Sequence, residues 1–441
     1  MRNTMQPTFN KNKAILSLLP LLTFVALFLG SGLYLQSQGV DYAFYQLPAP
    51  VAILPAIMLA FILNKGTVNQ CVETFIKGAG HNNIITMCLI YLLAGAFSAV
   101  ASATGGVDAV VNAGLSLIPP SLLLPGLFLI AAVVSTAMGT SMGTIGAIGP
   151  IAYAVSVKTG IDPALMAGTI VSGAMFGDNL SIISDTTIAA TRTQGCEMKD
   201  KFKENLKIAV PAAVLTIALL LYLTPAPQAV ETKDFDLLLV LPYAFILVLA
   251  VAGMNVFVVL FSGIVFAALM GFTGSYEGAS FVKDIYKGFT DMQEIFLLSM
   301  FIGGLSEFIR INGGLDFLAQ KIQAITKVIA KWHRKVADQL GIAALVLTSN
   351  VCIANNTVSI IVAGPIAKKL ADDGEISGKR SASLLDIFAC VTQGSLPYGA
   401  QALLLGATFK ISPWEVSMSS YYCFILAFTA IAVICLRRNK A

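Results

Sequence analysis

Two carboxylates lie inside a long apolar part of the sequence. Asp178 and Asp185 belong to residues 173–187, GAMFGDNLSIISDTT, with apolar runs on both sides. A charge in the hydrocarbon core of a bilayer costs roughly 3 to 10 kcal/mol, so acids at such positions are usually functional. On one continuous helix Asp178, Ser181 and Asp185 would form a single stripe of oxygen ligands. This stripe predicts a monovalent-cation site, and a polar network that only joins helices is the alternative.

The composition indicates an integral membrane protein. Of 441 residues, 56% are hydrophobic and only 12% are charged, whereas a soluble domain has about 25% charged residues. Apolar runs of membrane-spanning length recur from residue 14 to residue 436. We therefore predict an all-α polytopic membrane protein with about 10–12 membrane segments.

The same sequence excludes several classes of function. The sequence has no histidine-based metal pattern and no nucleophile with a paired base, so we predict that the protein is not an enzyme and has no cofactor. The net charge of +4 is too small to indicate a nucleic-acid partner. The expected surroundings are a lipid bilayer, and a homodimer is left open.

Lysine and arginine in the short connections predict the orientation. Connections 35–46 and 104–118 contain none of these residues, while the basic ones are the N-terminal tail, 65–82, 192–207 and the C-terminal tail. Lys201 is counted here among the basic residues of the 192–207 connection. The pattern predicts a multi-pass protein of a bacterial-type cytoplasmic (inner) membrane, with both termini in the cytoplasm.

The chain also contains an internal repeat. Residues 95–108 (GAFSAVASATGGVD) and 303–316 (GGLSEFIRINGGLD) share five positions at an offset of 208, and GPIA occurs at 149–152 and again at 364–367. The connection after the first copy lacks basic residues, whereas that after the second has five. The positive-inside rule then places the two connections on opposite faces and predicts two inverted-topology repeats. Biased composition is the alternative.

The repeat predicts three parts. Residues 1–206 form the first half, with a re-entrant hairpin at about 137–157 and a broken helix at about 173–190. Residues 207–290 are linking helices. Residues 291–441 form the second, inverted half, with a hairpin at about 348–370 and a broken helix at about 386–401. Discontinuous helices of this kind place binding sites at the middle of the membrane.

Small polar residues within these interruptions are the candidate ligands. Carboxylate, amide and hydroxyl oxygens suit a hard cation, and neutral groups at helix ends suit a substrate. The candidate cation and proton site comprises Asp178, Asn179, Ser181, Ser184, Asp185, Thr186 and Thr187, with Asp178 and Asp185 as the Na+ ligands. The candidate hairpin and substrate site comprises Thr140, Ser141, Thr144, Asn355, Asn356, Thr357, Gln393 and Ser395.

Other charged residues in apolar segments have structural explanations. Glu307 and Arg310 are three apart and are predicted to pair with each other. Asp108, Asp316 and Asp386 lie near predicted helix starts and are interpreted as caps.

The polar motif resembles that of a known transporter family. Residues 176–187, FGDNLSIISDTT, are similar to the GD-x-LSPLSDTT signature of the NhaC-type sodium/proton antiporters, which are part of a larger ion-transporter superfamily. Ile182 and Ile183 replace the proline–leucine pair of the signature, and Asn179 stands where a lysine is common. The resemblance implies inverted repeats, hairpins and an elevator-like movement.

Two functions follow from these patterns. The first is Na+/H+ antiport, in which Asp178 and Asp185 alternate between Na+-bound and protonated forms by alternating access. The second is Na+-coupled transport of a small amino acid or organic carboxylate, for which the neutral groups at 355–357 and 393–395 are better suited than for a bare cation.

Overall fold

The computed structural model describes residues 11–40, 43–117, 119–182, 184–224, 236–274 and 276–436. Over these ranges the chain forms helices and connecting turns without a β-strand, which confirms the all-α prediction. Residues 1–10 of the basic N-terminal tail, Ile183 of the polar motif and the basic C-terminal tail lie outside the described residues.

The helices of the first part end at the long helix α12. They are α1 (Lys11–Leu16), α2 (Leu19–Ser37), α3 (Ala49–Ala52), α4 (Leu54–Leu63), α5 (Val68–Ala79), α6 (Asn82–Ala103), α7 (Gly106–Leu117), α8 (Leu123–Met138), α9 (Ser141–Thr159), α10 (Pro163–Leu180), α11 (Asp185–Gln194) and α12 (Met198–Leu223), with short 3-10 turns at Ala43–Tyr45 and Pro120–Leu122.

The second part begins with two apolar helices and then repeats the pattern of the first. Its helices are α13 (Leu237–Val251), α14 (Val256–Phe272), α15 (Gly278–Asp291), α16 (Gln293–Ile311), α17 (Gly314–Ile353), α18 (Asn356–Asp373), α19 (Gly378–Ser395), α20 (Ala400–Phe409), α21 (Pro413–Met418) and α22 (Tyr421–Leu436). Helix α17 has a kink at His333, where the backbone leaves helical geometry.

Apolar helices occur along most of the described chain. Among the residues that the structure describes, four stretches suit a complete crossing by length and composition: Lys11–Leu35, Asn82–Ala103, Met198–Leu223 and His333–Ile353. Five shorter apolar helices are Ala49–Leu63, Leu123–Met138, Leu237–Leu249, Val256–Phe272 and Tyr421–Leu436. The predicted total of about 10–12 segments also included the polar, interrupted elements, in which helices end in the interior of the protein.

Two helix interruptions with the same geometry, called hairpin tips below, lie within the ranges where the hairpins are predicted. Gly139 ends α8 in the left-handed region (φ 69°), and extended Thr140 caps α9 by accepting a hydrogen bond from Gly143 N at 3.5 Å. Ala354 likewise ends α17 (φ 53°), and extended Asn355 caps α18. Alanine is strained at a positive φ, by roughly 1 to 3 kcal/mol, so the surrounding packing must hold this tip in place.

The two parts correspond helix by helix after these tips. Helices α10 and α19 both have 18 residues, and α11 and α20 both have 10. Pro163 and Gly378, which start the longer pair, are 215 positions apart, and so are Asp185 and Ala400, which start the shorter pair. The internal repeat therefore covers the interrupted helices as well as the motif in which it was found.

Helices α5 and α6 pack reciprocally against α15 and α16. A Cβ placed on Gly78 of α5 would meet the Gly303 carbonyl of α16 at 2.3 Å, and one on Gly95 of α6 would meet the Gly288 carbonyl of α15 at 2.3 Å. Tyr91 Oη lies 3.2 Å from the hydroxyl of Ser299, 208 positions further along the chain. Reciprocal contacts of this kind are what a two-fold relation between copies produces.

We expect Gly288→Ala to destabilise the protein, because the helix backbones leave no room for a methyl group. The added Cβ would lie 2.4 Å from the Gly95 carbonyl carbon, and such overpacking costs about 1–3 kcal/mol. Thermal unfolding in detergent measures the loss. Gly278→Ala on the same helix is the control, because nothing lies within 4 Å of its Cβ position. Equal midpoints for both variants would contradict the packing.

Two sequence-based boundaries fall inside helices. Residue 206 lies within α12 and residue 290 within α15, so the three predicted parts are not separated by connections. The predicted pair between Glu307 and Arg310 is confirmed, with Arg310 Nε donating to Glu307 Oε2 at 2.6 Å.

Candidate functional site

The polar motif is divided by an unwound segment. Helix α10 ends at Leu180, Ser181 is extended (φ −71°, ψ 133°), and α11 begins only at Asp185 with Ser184 as its cap. The prediction that Asp178, Ser181 and Asp185 form one helical stripe is therefore wrong. The hydroxyl of Ser184 accepts a hydrogen bond from Thr187 N at 3.2 Å and so caps the start of a new helix.

Asp178 is buried where two helix starts meet the end of α10. Its carboxylate is 3% exposed. Ser141, the first residue of α9, donates its hydroxyl to Asp178 Oδ2 at 3.0 Å, and Thr186 in the first turn of α11 donates to Oδ1 at 3.4 Å. Helix N-termini carry a partial positive charge, so they favour the anionic carboxylate in this position. The predicted groups of the first hairpin and of the broken helix thus share one site.

A chain of amides extends this site to the second half of the protein. Gln401 Nε2 donates to Ser141 Oγ at 3.2 Å, and Gln401 Oε1 accepts from Gln393 Nε2 at 2.8 Å. Gln393 also lies 3.4 Å from the carbonyl of Ala354, at the tip of the second hairpin. Both hairpin tips and both interrupted helices therefore meet through buried hydrogen bonds.

A second buried cluster lies on the other side of Asn179. Its side chain donates to Asp386 Oδ2 at 3.4 Å and accepts from Tyr422 Oη at 3.1 Å. Lys201 Nζ lies 2.8 Å from Asp386 Oδ2, and both of these side chains are fully buried. Asn205 Nδ2 donates to the same oxygen at 2.7 Å.

This cluster corrects two sequence-based interpretations. Asp386 was interpreted as a helix cap, but it lies in the middle of α19 and binds a lysine. Lys201 was counted as a charge of the 192–207 connection, but α12 starts at Met198 and turns this side chain into the interior. A buried carboxylate needs a counter-charge, and in α19 no neighbouring residue of the same helix supplies one.

Three hydroxyl groups connect the two clusters. Thr187 Oγ1 accepts from Lys201 Nζ at 2.7 Å and from Ser184 Oγ at 2.9 Å, and it donates to the Ser181 carbonyl at 2.7 Å. Ser184 Oγ lies 3.0 Å from Thr186 Oγ1, which reaches Asp178. The carboxylate and the ammonium are therefore the two ends of one buried hydrogen-bond network through the unwound segment.

Several predicted site residues are not brought into this network. Asp185 is exposed at the start of α11. Asn355 caps α18 and lies 3.9 Å from Met87 Sδ. The remaining members bond to their own helix or to its first residues: Thr140, Thr144, Asn356, Thr357 and Ser395.

Gln401, Lys201, Asp386 and Tyr422 are site residues that the sequence reasoning missed. The repeat indicates Gln401 directly, because it is 215 positions after Thr186, just as Gln393 is 215 positions after Asp178. Asp386 is an acid in an apolar run, the same signal that identified Asp178. Nothing in the spacing of Lys201 or Tyr422 indicates that either faces the interior.

A cavity of about 1300 Å³ opens next to these elements, between α6, α7, α9, α15, α16 and α20. Its wall includes Pro150 of α9 and Thr408 of α20, so it reaches the helices that carry Ser141 and Gln401. Charges of both signs line it: Asp108, Lys158, Asp284, Lys287, Asp291, Glu294 and Lys410. The cavity is large enough for a small organic solute.

The chain is similar to known antiporters over most of its length. Residues 12–225 match the model of the Na+/H+ antiporter family. The Na+/H+ antiporter NhaC of Alkalihalophilus pseudofirmus is 25% identical over 414 residues, which cover 87% of this chain and 88% of that protein. The malate-2H+/Na+-lactate antiporter of Bacillus subtilis is 24% identical over 430 residues, covering 88% and 89%. The arginine/ornithine antiporter ArcD of Halobacterium salinarum is 24% identical over 472 residues, covering 97% and 91%.

Three observations define the class of this protein. They are the apolar helices, the buried acid among interrupted helices and the similarity to antiporters over most of the chain. The protein is a multi-pass membrane protein and a cation-coupled secondary transporter. The match of residues 12–225 to the Na+/H+ antiporter family and the similarity to two NhaC antiporters confirm the resemblance of residues 176–187 to the NhaC-type signature.

Proposed function

We propose that the protein exchanges Na+ for H+ by alternating access, with Asp178 as the group that binds either ion. The observation that carries this proposal is the position of Asp178, a buried acid held by the first turns of α9 and α11. A carboxylate removed from water is strongly favoured to bind a cation or a proton. Because one group serves both ions, occupancy by one excludes the other, and exchange follows.

The surrounding oxygen atoms supply the rest of a Na+ shell in this proposal. The hydroxyl groups of Ser141 and Thr186 contact Asp178 directly, those of Ser181 and Ser184 lie on the unwound segment, and that of Thr187 lies in the first turn of α11. Asn179 adds an amide oxygen next to the acid. Asp185, which is exposed, has the role of a second acid at the entrance of the site.

The proposed arrangement in the membrane is that of two inverted repeats. The reciprocal packing of α5 with α16 and of α6 with α15 supports a two-fold axis between the halves. Four basic residues of the 192–207 connection remain after the buried Lys201 is removed: Arg192, Lys199, Lys203 and Lys207. These four charges still favour the proposed orientation, in which the protein lies in a bacterial-type inner membrane with both termini in the cytoplasm.

Dequenching of a pH-sensitive dye in everted vesicles tests the exchange. We expect addition of NaCl to release protons from vesicles that contain the protein and not from vesicles without it. Choline chloride controls for the anion and for osmolarity. A proton signal that does not depend on Na+ would contradict the proposal.

Na+-coupled transport of a small amino acid or organic carboxylate is the second candidate function. The cavity of about 1300 Å³ with both acidic and basic walls favours it, as do the names of two relatives, the malate/lactate and arginine/ornithine antiporters. Uptake of radiolabelled amino acids and carboxylates into proteoliposomes distinguishes the two functions. Accumulation of a solute under an inward Na+ gradient would favour this one.

We expect Gln401→Leu to raise the Na+ concentration that gives half-maximal exchange by about tenfold. The change removes a donor to Ser141 and the shorter of two hydrogen bonds made by Gln393, and an unsatisfied buried polar group costs about 1–3 kcal/mol. Dequenching over a range of Na+ concentrations measures the shift. Gln320→Leu, at an exposed glutamine on α17, is the control. Equal Na+ dependence of the two variants would show that Gln401 does not contribute to the site.

A further inference from the structure

Lys201 and Asp386 form an unusual ion pair for a membrane protein. Among the ion pairs of the described residues, it is the one in which neither side chain is exposed at all, with a separation of 2.8 Å. Removing two charges from water often costs more free energy than their attraction regains. Stabilisation of the fold alone therefore does not explain such a pair. Its position beside the transport motif suggests another role.

Both partners contact the segment that positions Asp178. Lys201 Nζ donates to Thr187 Oγ1 at 2.7 Å and lies 3.3 Å from the carbonyl of Asn179, the residue after Asp178. Asp386 Oδ2 accepts from the side chain of Asn179. The pair is therefore bonded to both ends of the unwound segment and belongs to the same buried network.

The formal charges of this network have a definite sum. Asp178 and Asp386 are two acids and Lys201 is one base, which leaves one negative charge. Other buried acids lie in separate pairs with partly exposed bases, namely Glu204 with Lys207, Glu307 with Arg310 and Asp338 with Arg334. Within this network of described residues, one acid therefore has a charge that is not balanced by a lysine.

We propose that Lys201 is a fixed internal counter-ion that neutralises Asp386, so that each cycle exchanges one monovalent cation for one proton and moves no net charge. This inference rests on the proposed function and specifies its stoichiometry. With Na+ on Asp178 the network is neutral as it passes in one direction. With a proton on Asp178 it is equally neutral on return, so the membrane potential does no work on either step. Lys201 acts as a positioning residue that touches the site through Thr187 and Asn179.

Purified full-length protein in proteoliposomes tests the inference. A pH gradient drives Na+ movement while potassium and valinomycin set the membrane potential. For every net charge moved per cycle, about 60 mV would change the steady-state Na+ gradient about tenfold. We expect the wild-type gradient to stay the same when this potential is applied.

Three variants separate a charge-setting role from a purely structural one. Lys201→Met lets Asp386 bind a proton on the return step and release it on the other side when Na+ binds, so that two protons return for one Na+, and the gradient should become sensitive to the potential. Lys201→Met combined with Asp386→Asn restores one negative charge and should be insensitive again. Lys207→Met on the same helix removes a partly exposed lysine outside the network and is the matched control.

Each outcome decides between the alternatives. A wild-type Na+ gradient that shifts about tenfold at 60 mV, while exchange itself is intact, would overturn the inference and leave the proposed function standing. Wild-type vesicles without any Na+-dependent proton movement would end both. If Lys201→Met does not fold, the double variant decides: potential-insensitive exchange supports the fixed counter-ion, and potential-driven exchange refutes it.

Discussion

Asp178→Asn is expected to reduce Na+-dependent proton exchange by at least about 100-fold. The amide keeps the shape of the side chain and still accepts a hydrogen bond from Ser141, but it neither binds a proton nor balances a cation. Loss of one partner of a buried charge interaction costs about 2–5 kcal/mol, and the proton-carrying form is lost as well. Dequenching in everted vesicles with matched protein amounts measures the effect.

Asp162→Asn is the matched control for this change. Asp162 caps the start of the same helix, α10, by accepting from Leu165 N at 2.8 Å, and asparagine caps helices equally well. We expect its exchange to equal that of the wild type. Exchange by Asp178→Asn at more than about a tenth of the wild-type rate would show that the coupling ion binds elsewhere.

Asp386→Asn is expected to cause the largest loss of stability, about 3–5 kcal/mol, because it leaves the ammonium of Lys201 buried without a counter-charge. The ammonium of Lys201 would then have only neutral acceptors, such as Thr187 and the carbonyl of Asn179. Thermal unfolding in detergent, followed through the reactivity of the buried cysteines, measures the loss as a lower midpoint.

Removing both charges provides the comparison. A buried ion pair replaced by neutral groups is often as stable as the original, so the variant with Lys201→Met and Asp386→Asn should recover most of the lost midpoint. Asp372→Asn is a suitable control, because its pair with Lys368 is exposed and contributes about 0–1 kcal/mol. A double variant less stable than Asp386→Asn alone would contradict the assignment of the loss to an unpaired charge.

Features that depend on local sequence could be predicted well. A helix is interrupted at Gly139, at the capping Thr140 and within the polar motif at 173–187. The local residue types are sufficient to explain each interruption. Asp178 could be identified because the cost of a buried charge depends little on the rest of the fold. The repeat placed Gln393 in the corresponding position of the second half.

Features that depend on how distant helices meet could not be predicted. Lys201 was interpreted as a charge in a connection, because the positive-inside rule uses only the position of a residue along the chain. It takes no account of the start of α12 at Met198. The pairing of Lys201 with Asp386 joins residues that are far apart in the sequence. The helical stripe through Asp185 was wrong because it required a continuous helix through a segment whose serines form a new cap.

The two hairpin tips share a backbone shape but differ in the polar contacts that they make. At Gly139–Thr140 and at Ala354–Asn355 the backbone follows nearly the same path, yet the first tip presents a serine to an acid and the second presents a carbonyl to an amide. At the first tip Gly139 bends the chain and Ser141 contacts the acid, whereas at the second tip Ala354 supplies both the bend and the carbonyl. A duplicated ancestor could therefore exchange a few ligands in one copy while the architecture of both was retained, which is a direct route to new cargoes within a single lineage.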